Sequence, residues 1–143
     1  MKLYLAMWVR GIKGNDATLE EIETNKNYAI AAALRMRDAL LPYHDVICPH
    51  EDPILNFIDD TWLEDKSEYW VNAAICRCYN MLDDCDVLVV FDRGFESDGI
   101  KSEKAYARDS GICVFDEFPD LTDESLEQLV LWLNELEATK GKK

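Results

Sequence analysis

Several features that point to common classes of function are scarce or missing in this sequence. Its 143 residues include only two histidines, and its five cysteines contain no CxxC pair, so no spacing typical of a metal site occurs. No apolar run approaches the roughly 20 residues that a membrane-spanning helix needs. We therefore expect no metal, no cofactor and no contact with a membrane.

Basic residues are also in short supply. Lysine and arginine number 15 against 29 aspartate and glutamate residues, which gives a formal net charge of −14. Binding of a nucleic-acid polymer needs a clustered basic surface, so this composition argues against that class of partner. A small anionic ligand needs only one local basic pocket, and such a ligand stays compatible with the charge.

The remaining composition is that of an ordinary globular protein, with 48% hydrophobic and 31% charged residues. We expect a single domain over residues 1–139, followed by a frayed tail at 140–143. The strand-like segment at 2–6 follows the first residue directly, without the long apolar region of a signal peptide, so we expect a cytoplasmic protein. The cysteines lie mostly inside apolar segments, and we interpret them as buried, reduced thiols.

Hydrophobic periodicity predicts an alternation of strands and helices. Strands are predicted at 2–6, 45–48, 86–91 and 112–115. Helices are predicted from a capping box at Thr18 to about 41, at 53–65, 68–82 and 100–108, and after Thr122. This order predicts an α/β fold with a parallel sheet between two layers of helices. We expect a flavodoxin-like (Rossmann-like) three-layer sandwich of four to five strands in the order 2-1-3-4.

In that strand order, the C-terminal ends of the first three strands meet at one crevice, the usual place for ligands in open α/β sheets. Glu103 is predicted there, in the first turn of a helix, where the helix dipole would keep its carboxylate ionised at neutral pH. An ionised carboxylate beside an anomeric carbon is the nucleophile of a retaining glycosyl transfer, with a second acid protonating the leaving group. Asp86 and Asp92, at the two ends of the central strand, are the candidates for that second acid.

The spacing Ser97-x-Gly99-x-x-x-Glu103 after the segment 85–90 resembles the signature of the nucleoside 2-deoxyribosyltransferase superfamily, which includes the 2'-deoxynucleoside 5'-phosphate N-hydrolases. The likeness extends over residues 2–12 and 83–116. It implies cleavage or transfer of the N-glycosidic bond of a 2'-deoxynucleoside or its 5'-monophosphate. The expected partner is therefore a small-molecule nucleoside or nucleotide, and we also expect a homo-oligomer, a dimer or larger.

Carried over by position, the resemblance implies a role for each candidate residue. Glu103 is the nucleophile, Tyr4 orients its carboxylate, and Asp86 positions the sugar and the base. Ser97 and Arg10 match contacts to the 5'-phosphate, which favours a nucleotide over a nucleoside. The full substrate-binding set is Trp8, Arg10, Gly11, His50, Asp92, Ser97 and Gly99.

The sequence departs from the family pattern at two places. Met7-Trp8 stands where the hydrolases have a Gly-Ser pair, and Glu103-Lys104-Ala105 replaces a Glu-Leu-Gly-like run. These departures motivate an alternative, a non-catalytic protein that binds a nucleotide or a nucleotide-derived signal in the same pocket. A third hypothesis is an interaction protein that uses the helical pair at 54–82, with anchors Trp62, Tyr69 and Trp70.

Overall fold

The computed structural model describes residues 1–8, 16–116 and 118–140. The elements in chain order are β1 (Lys2–Ala6), α1 (Leu19–Leu40), β2 (Asp45–Ile47), α2 (Pro53–Asp65), α3 (Glu68–Asp83), β3 (Val87–Val90), α4 (Asp98–Asp109), β4 (Cys113–Phe115) and α5 (Asp123–Lys140). A short 3-10 turn, Pro49–Glu51, links β2 to α2. None of the described helices is both long enough and apolar enough to cross a membrane.

The strands form one parallel sheet in the order β2-β1-β3-β4. This confirms the predicted flavodoxin-like order, with four strands. In the centre of the sheet, Tyr4 of β1 is in register with Leu88 of β3 and with Ile47 of β2. The C-terminal ends of β1, β2 and β3 therefore lie side by side at one edge of the sheet.

Alternation along β1 separates the core into two halves, because successive side chains of a strand point to opposite faces. Leu3 and Leu5 pack in the cluster that contains buried residues of α1 and α5. Tyr4 and Ala6 pack in the cluster formed with α3 and α4. Tyr4 consequently lies beneath the helix layer that carries Glu103.

Local signals set most helix ends where the sequence predicts them. Thr18 and Glu21 form the predicted capping box at the start of α1. The helix ends at Leu40, ahead of Pro42, which cannot continue it. At the other end of the chain, α5 continues to Lys140, the first residue of the predicted tail, and 141–143 lie outside the described residues.

The start of α4 differs from the prediction, and this changes the position of Glu103. Ser97 is the N-cap, with its Oγ accepting a hydrogen bond of 3.2 Å from the Ile100 amide, so the helix begins at Asp98 rather than Ile100. Glu103 therefore lies in the second turn. The prediction of a first-turn carboxylate held ionised by the helix dipole is wrong, because the dipole effect is confined to the first turn.

The helical pair α2 and α3 covers the C-terminal edge of the sheet. Trp62, an anchor in the interaction-protein hypothesis, is only 3% exposed and packs with Ala17 and Ile22 of the core. Tyr69 is 70% exposed, as an anchor would be. Leu82 is the fully buried residue of α3, and the half-buried Cys78 and Met81 pack against the same sheet cluster, so the C-terminal half of this helix covers the sheet.

The expectation that the cysteines are buried, reduced thiols is confirmed in part. All five cysteines are free thiols, and Cys48 and Cys85 are buried. Cys76 is exposed, contrary to the prediction, and Cys78 is half-buried. The two residues of the Cys-Arg-Cys segment point to different sides of α3, which agrees with the helical spacing that argued against shared metal binding.

Candidate active site

A cavity of about 790 Å³ lies between the C-terminal edge of the sheet and the helices α2, α3 and α4. Its size falls within the range of about 300–1,000 Å³ that small-molecule sites occupy. The predicted site residues on its wall are Trp8, His50, Ser97, Gly99 and Glu103. The same edge of the sheet that the strand order singles out thus carries the largest concentration of predicted site residues.

Glu103 lies on the wall of this cavity and has a buried carboxylate oxygen. Its Oε2 is inaccessible to solvent and has no hydrogen-bond partner among the described residues. Burial raises the pKa of Glu103 from its ordinary value of 4.5 to about 7. The expectation of a fully ionised carboxylate at neutral pH is therefore wrong, since the group is close to half protonated there.

Tyr4 is the polar neighbour of Glu103 from the sheet. The phenol is fully buried, and burial followed by the charge of Glu103 raises its pKa well above the ordinary value. In return, the Tyr4 hydroxyl lowers the pKa of Glu103. Within the part of the chain that the structure describes, the Tyr4 oxygen has no hydrogen bond of ordinary geometry, so the two groups are close electrostatic neighbours.

Cys78 of α3 completes this buried group from the opposite side. It packs against the same cluster as Tyr4 and lies on the cavity wall with Glu103. Burial and the charge of Glu103 raise the pKa of the Cys78 thiol to about 12. The thiol is therefore protonated at neutral pH and acts as a small, weakly polar surface next to the carboxylate.

His50 supplies a hydrogen-bond acceptor to the cavity. Its Nε2 lies 3.3 Å from the Met7 carbonyl oxygen, and because a carbonyl only accepts, Nε2 carries the proton. The other ring nitrogen, Nδ1, is buried without a partner among the described residues. Burial lowers the pKa of His50 to about 4, so the ring is neutral and Nδ1 keeps its lone pair at neutral pH.

The loop before α4 shapes the cavity through its backbone. The Ser97 hydroxyl is occupied by capping the helix, which turns the N-terminus of α4 toward the cavity. A Cβ added at Gly99 would meet only the Ser97 Oγ, at 3.8 Å. A side chain at position 99 would therefore fit without a clash. The contribution of Gly99 is that it leaves the backbone at the cavity wall uncovered.

Trp8 joins the end of β1 to the loop after β3. Its indole Nε1 donates a hydrogen bond to the Asp92 carbonyl oxygen. The Arg93 guanidinium lies 4.7 Å from the centre of the Trp8 ring. Trp8 is one of the two residues at which the sequence departs from the Gly-Ser pair of the hydrolases. Half-buried on the cavity wall, it provides an aromatic surface with the Arg93 cation packed against its ring.

The two aspartates predicted as acids do not reach the cavity. Asp86 accepts a hydrogen bond of 2.9 Å from the Lys2 amide at the N-terminal edge of the sheet. Six residues of extended chain separate it from Asp92, about 20 Å at 3.3 Å per residue, so it lies at the opposite edge from the ligand side. Asp92 is at the correct edge, but its carboxylate accepts from the Gly94 amide and shapes the loop.

Arg10 and Gly11, the other predicted contacts, lie outside the described residues.

Two other carboxylates on the cavity wall form ion pairs, Glu96 with Lys104 at 3.0 Å and Asp59 with Lys26 at 3.4 Å. Among the residues that the structure describes, no group of three metal-binding side chains is present.

Comparison of the chain with protein-family models, curated proteins and solved structures finds no match. A buried carboxylate, a neighbouring phenol and a neutral histidine acceptor can together hydrogen-bond a polar ligand. In its ionised form, the carboxylate can also act as a nucleophile.

Two polar side chains that form a hydrogen bond on the cavity wall are among the lining residues that the sequence did not predict. Tyr79 of α3 and Ser102 of α4 both line the cavity, and their hydroxyls are hydrogen-bonded to each other. The helical spacing of Val71, Ile75 and Tyr79 was the available signal. It shows that one face of α3 is covered, but a helical period does not distinguish a packed face from a face that lines a cavity.

Proposed function

We propose that this protein cleaves or transfers the N-glycosidic bond of a 2'-deoxynucleoside or its 5'-monophosphate, with Glu103 forming a covalent bond to the sugar. The observation that carries the proposal is the buried Oε2 of Glu103, on the wall of a ligand-sized cavity and without a hydrogen-bond partner among the described residues. A buried polar atom without a partner is costly, and such atoms concentrate at functional sites.

The arrangement around Glu103 supports this reaction. The ionised carboxylate attacks the anomeric carbon, and the resulting glycosyl ester is released by water or by a second base. Tyr4 stabilises the ionised form, since its hydroxyl lowers the pKa of the carboxyl. The bare Nδ1 of His50 accepts a hydrogen bond from a ligand hydroxyl or amino group.

The 5' end of the ligand is assigned to the N-terminus of α4. Backbone amides at a helix N-terminus favour a phosphate or a hydroxyl, and Ser97 and Gly99 expose this end of the helix to the cavity. Ser97 acts here through its capping geometry. The homo-oligomer expected from the sequence stays a prediction.

The test is incubation of the purified protein with a panel of deoxynucleosides and their monophosphates, read by chromatography for free base. We expect base release by the wild type and none by Glu103→Ala. Intact-mass analysis of a slowly turned-over substrate should show a deoxyribosyl adduct on the wild type. Glu127→Gln, an exposed change on α5, is the matched control and should behave as the wild type.

Binding of a nucleotide without turnover is the second candidate function. It is favoured by the pKa of about 7 at Glu103, because a half-protonated carboxyl group is a poorer nucleophile and a better hydrogen-bond donor. Saturable binding of a nucleotide, with no base released at any pH from 6 to 9, would select this function over the glycosidic reaction.

A further inference from the structure

Departure of a base from a sugar carbon needs a proton donor as well as a nucleophile. A neutral base leaves as an anion unless it is protonated in the same step, and general acids accelerate such steps by roughly 10²–10⁴-fold. The two aspartates predicted for this role are excluded by position, since Asp86 lies at the far edge of the sheet and the Asp92 carboxylate shapes a loop. The proposed reaction therefore requires another donor on the cavity wall.

The other cavity carboxylates are either ion-paired or placed in the first turn of a helix. Glu96 and Asp59 each form an ion pair with a lysine. Glu68 and Asp98 are the first residues of α3 and α4, where an acidic side chain serves the helix N-terminus. None of these placements marks a group that delivers a proton to a ligand.

Tyr79 has the position and the support that such a donor needs. It lines the cavity from α3, one residue after Cys78, which neighbours Glu103. Its ring is stacked on Tyr106 with centroids 4.1 Å apart and planes 6° apart, which fixes the orientation of the phenol. The Tyr106 hydroxyl is in turn anchored to Asp83 by a hydrogen bond of 2.6 Å.

Ser102 is the hydrogen-bond partner of the Tyr79 hydroxyl, and either oxygen can donate. The two hydroxyls are hydrogen-bonded, and Ser102 directly precedes Glu103 on α4. When the Ser102 hydroxyl donates to the Tyr79 oxygen, the Tyr79 proton is free to point into the cavity. The same hydrogen bond stabilises the phenolate that remains after the proton is given away.

We propose that Tyr79 is the catalytic acid of the glycosidic reaction and that Ser102 is its positioning residue. The inference rests on the proposed function. In the first step, Glu103 forms a bond to the anomeric carbon, the carbon–nitrogen bond breaks with its electron pair going to the base, and the Tyr79 proton goes to the base. In the second step, water attacks the glycosyl ester, restores the Glu103 carboxylate and returns a proton to the Tyr79 phenolate.

The test compares two kinds of substrate in the Tyr79→Phe variant. One is an ordinary deoxynucleoside, whose base must be protonated as it leaves. The other is 4-nitrophenyl 2-deoxyriboside or 7-methyl-2'-deoxyguanosine, whose leaving groups depart without a proton. We expect kcat on the ordinary substrate to fall by roughly 10²–10⁴-fold. On the activated substrates, kcat should stay at the wild-type value within error.

Matched variants separate a catalytic role from a structural one. Tyr69→Phe removes the hydroxyl of an exposed tyrosine on the same helix, outside the cavity lining, and should leave both activities unchanged. Ser102→Ala should lower kcat on the ordinary substrate alone, by less than Tyr79→Phe does. An equal loss on both substrate kinds, or no loss on either, would overturn the assignment of Tyr79. A wild-type protein inactive on every substrate would instead remove the proposed function and the inference with it.

Discussion

Replacing Glu103 by glutamine is expected to make the protein more stable at alkaline pH. The pKa of Glu103 is about 7 in the folded protein against an ordinary 4.5. Folding therefore favours the protonated form of Glu103. Below pH 4.5 the carboxyl is protonated in both states and does not reduce the free energy of unfolding. As the pH rises from there through about 7, the free energy of unfolding falls, because the unfolded chain ionises more readily than the folded protein. At about 1.4 kcal/mol for each pKa unit, the loss reaches about 3 kcal/mol at pH 8.

The measurement is urea unfolding of the wild type and Glu103→Gln at pH 5, 6, 7 and 8. Glutamine has nearly the same shape and no charge, so the variant escapes the loss. The stability difference should grow from about 1 kcal/mol at pH 5 to about 3 kcal/mol at pH 8. In thermal unfolding at pH 8, this corresponds to a Tm about 10 °C higher for the variant.

Comparison of the two proteins at each pH removes the contributions of other titrating groups. The pKa of His50 is lowered by burial, so this histidine titrates in the acid range, but it is present in both proteins. Tyr4 and Cys78, which face Glu103 from β1 and α3, have raised pKa values above the tested range. Glu127→Gln is the surface control. A stability difference that stays constant from pH 5 to pH 8 would refute the burial of the Glu103 carboxyl.

Two further predictions concern the neighbours of the site. Tyr4→Phe removes the hydroxyl that lowers the pKa of Glu103, so the rise of base-release activity with pH should move to higher pH, and an unchanged profile would contradict this contact. Asp52→Ala removes both the N-cap of α2 and a bidentate pair with Arg77, whereas Arg77→Met removes the pair alone. In urea unfolding, the aspartate change should cost about 1 kcal/mol more than the arginine change, the contribution of the cap. Equal losses would show that the cap contributes nothing.

Local sequence signals were sufficient for the order and type of the secondary-structure elements. The apolar run at 87–90 needs cover on both faces, and the Thr18 capping box and Pro42 act within a few residues of themselves. Helices between successive strands predict a parallel sheet, and right-handed crossovers leave few strand orders, of which the flavodoxin-like 2-1-3-4 was the predicted one and is confirmed. These features depend on short-range geometry, which a sequence carries directly.

The beginning of α4 was predicted two residues too late. Glycine at 99 and the polar run before it predicted a loop, yet the Ser97 cap starts the helix two residues before Ile100. A helix cap depends on one side-chain hydrogen bond. Residue composition alone does not show whether a polar segment forms that bond and starts a helix or stays a loop. This shift by two residues moved Glu103 out of the reach of the helix dipole.

The acid of the proposed reaction could not be found from the sequence. Aspartate is the obvious choice by residue type, and Asp86 adjoins the central strand, but strand direction places it at the wrong edge of the sheet. Tyr79 has no motif around it. Its place on the cavity wall beside Ser102 arises from the packing of α3 next to α4, a contact between segments distant in the chain.

By itself, the sequence determined the fold class, the strand order and the edge of the sheet at which Glu103, Ser97 and His50 meet. Those properties follow from hydrophobic periodicity and from the direction of parallel strands. The tertiary structure alone decided the protonation of Glu103 and the neighbours that act on it. Burial sets a pKa, and burial is a property of everything packed around a group, which no local pattern of residues records.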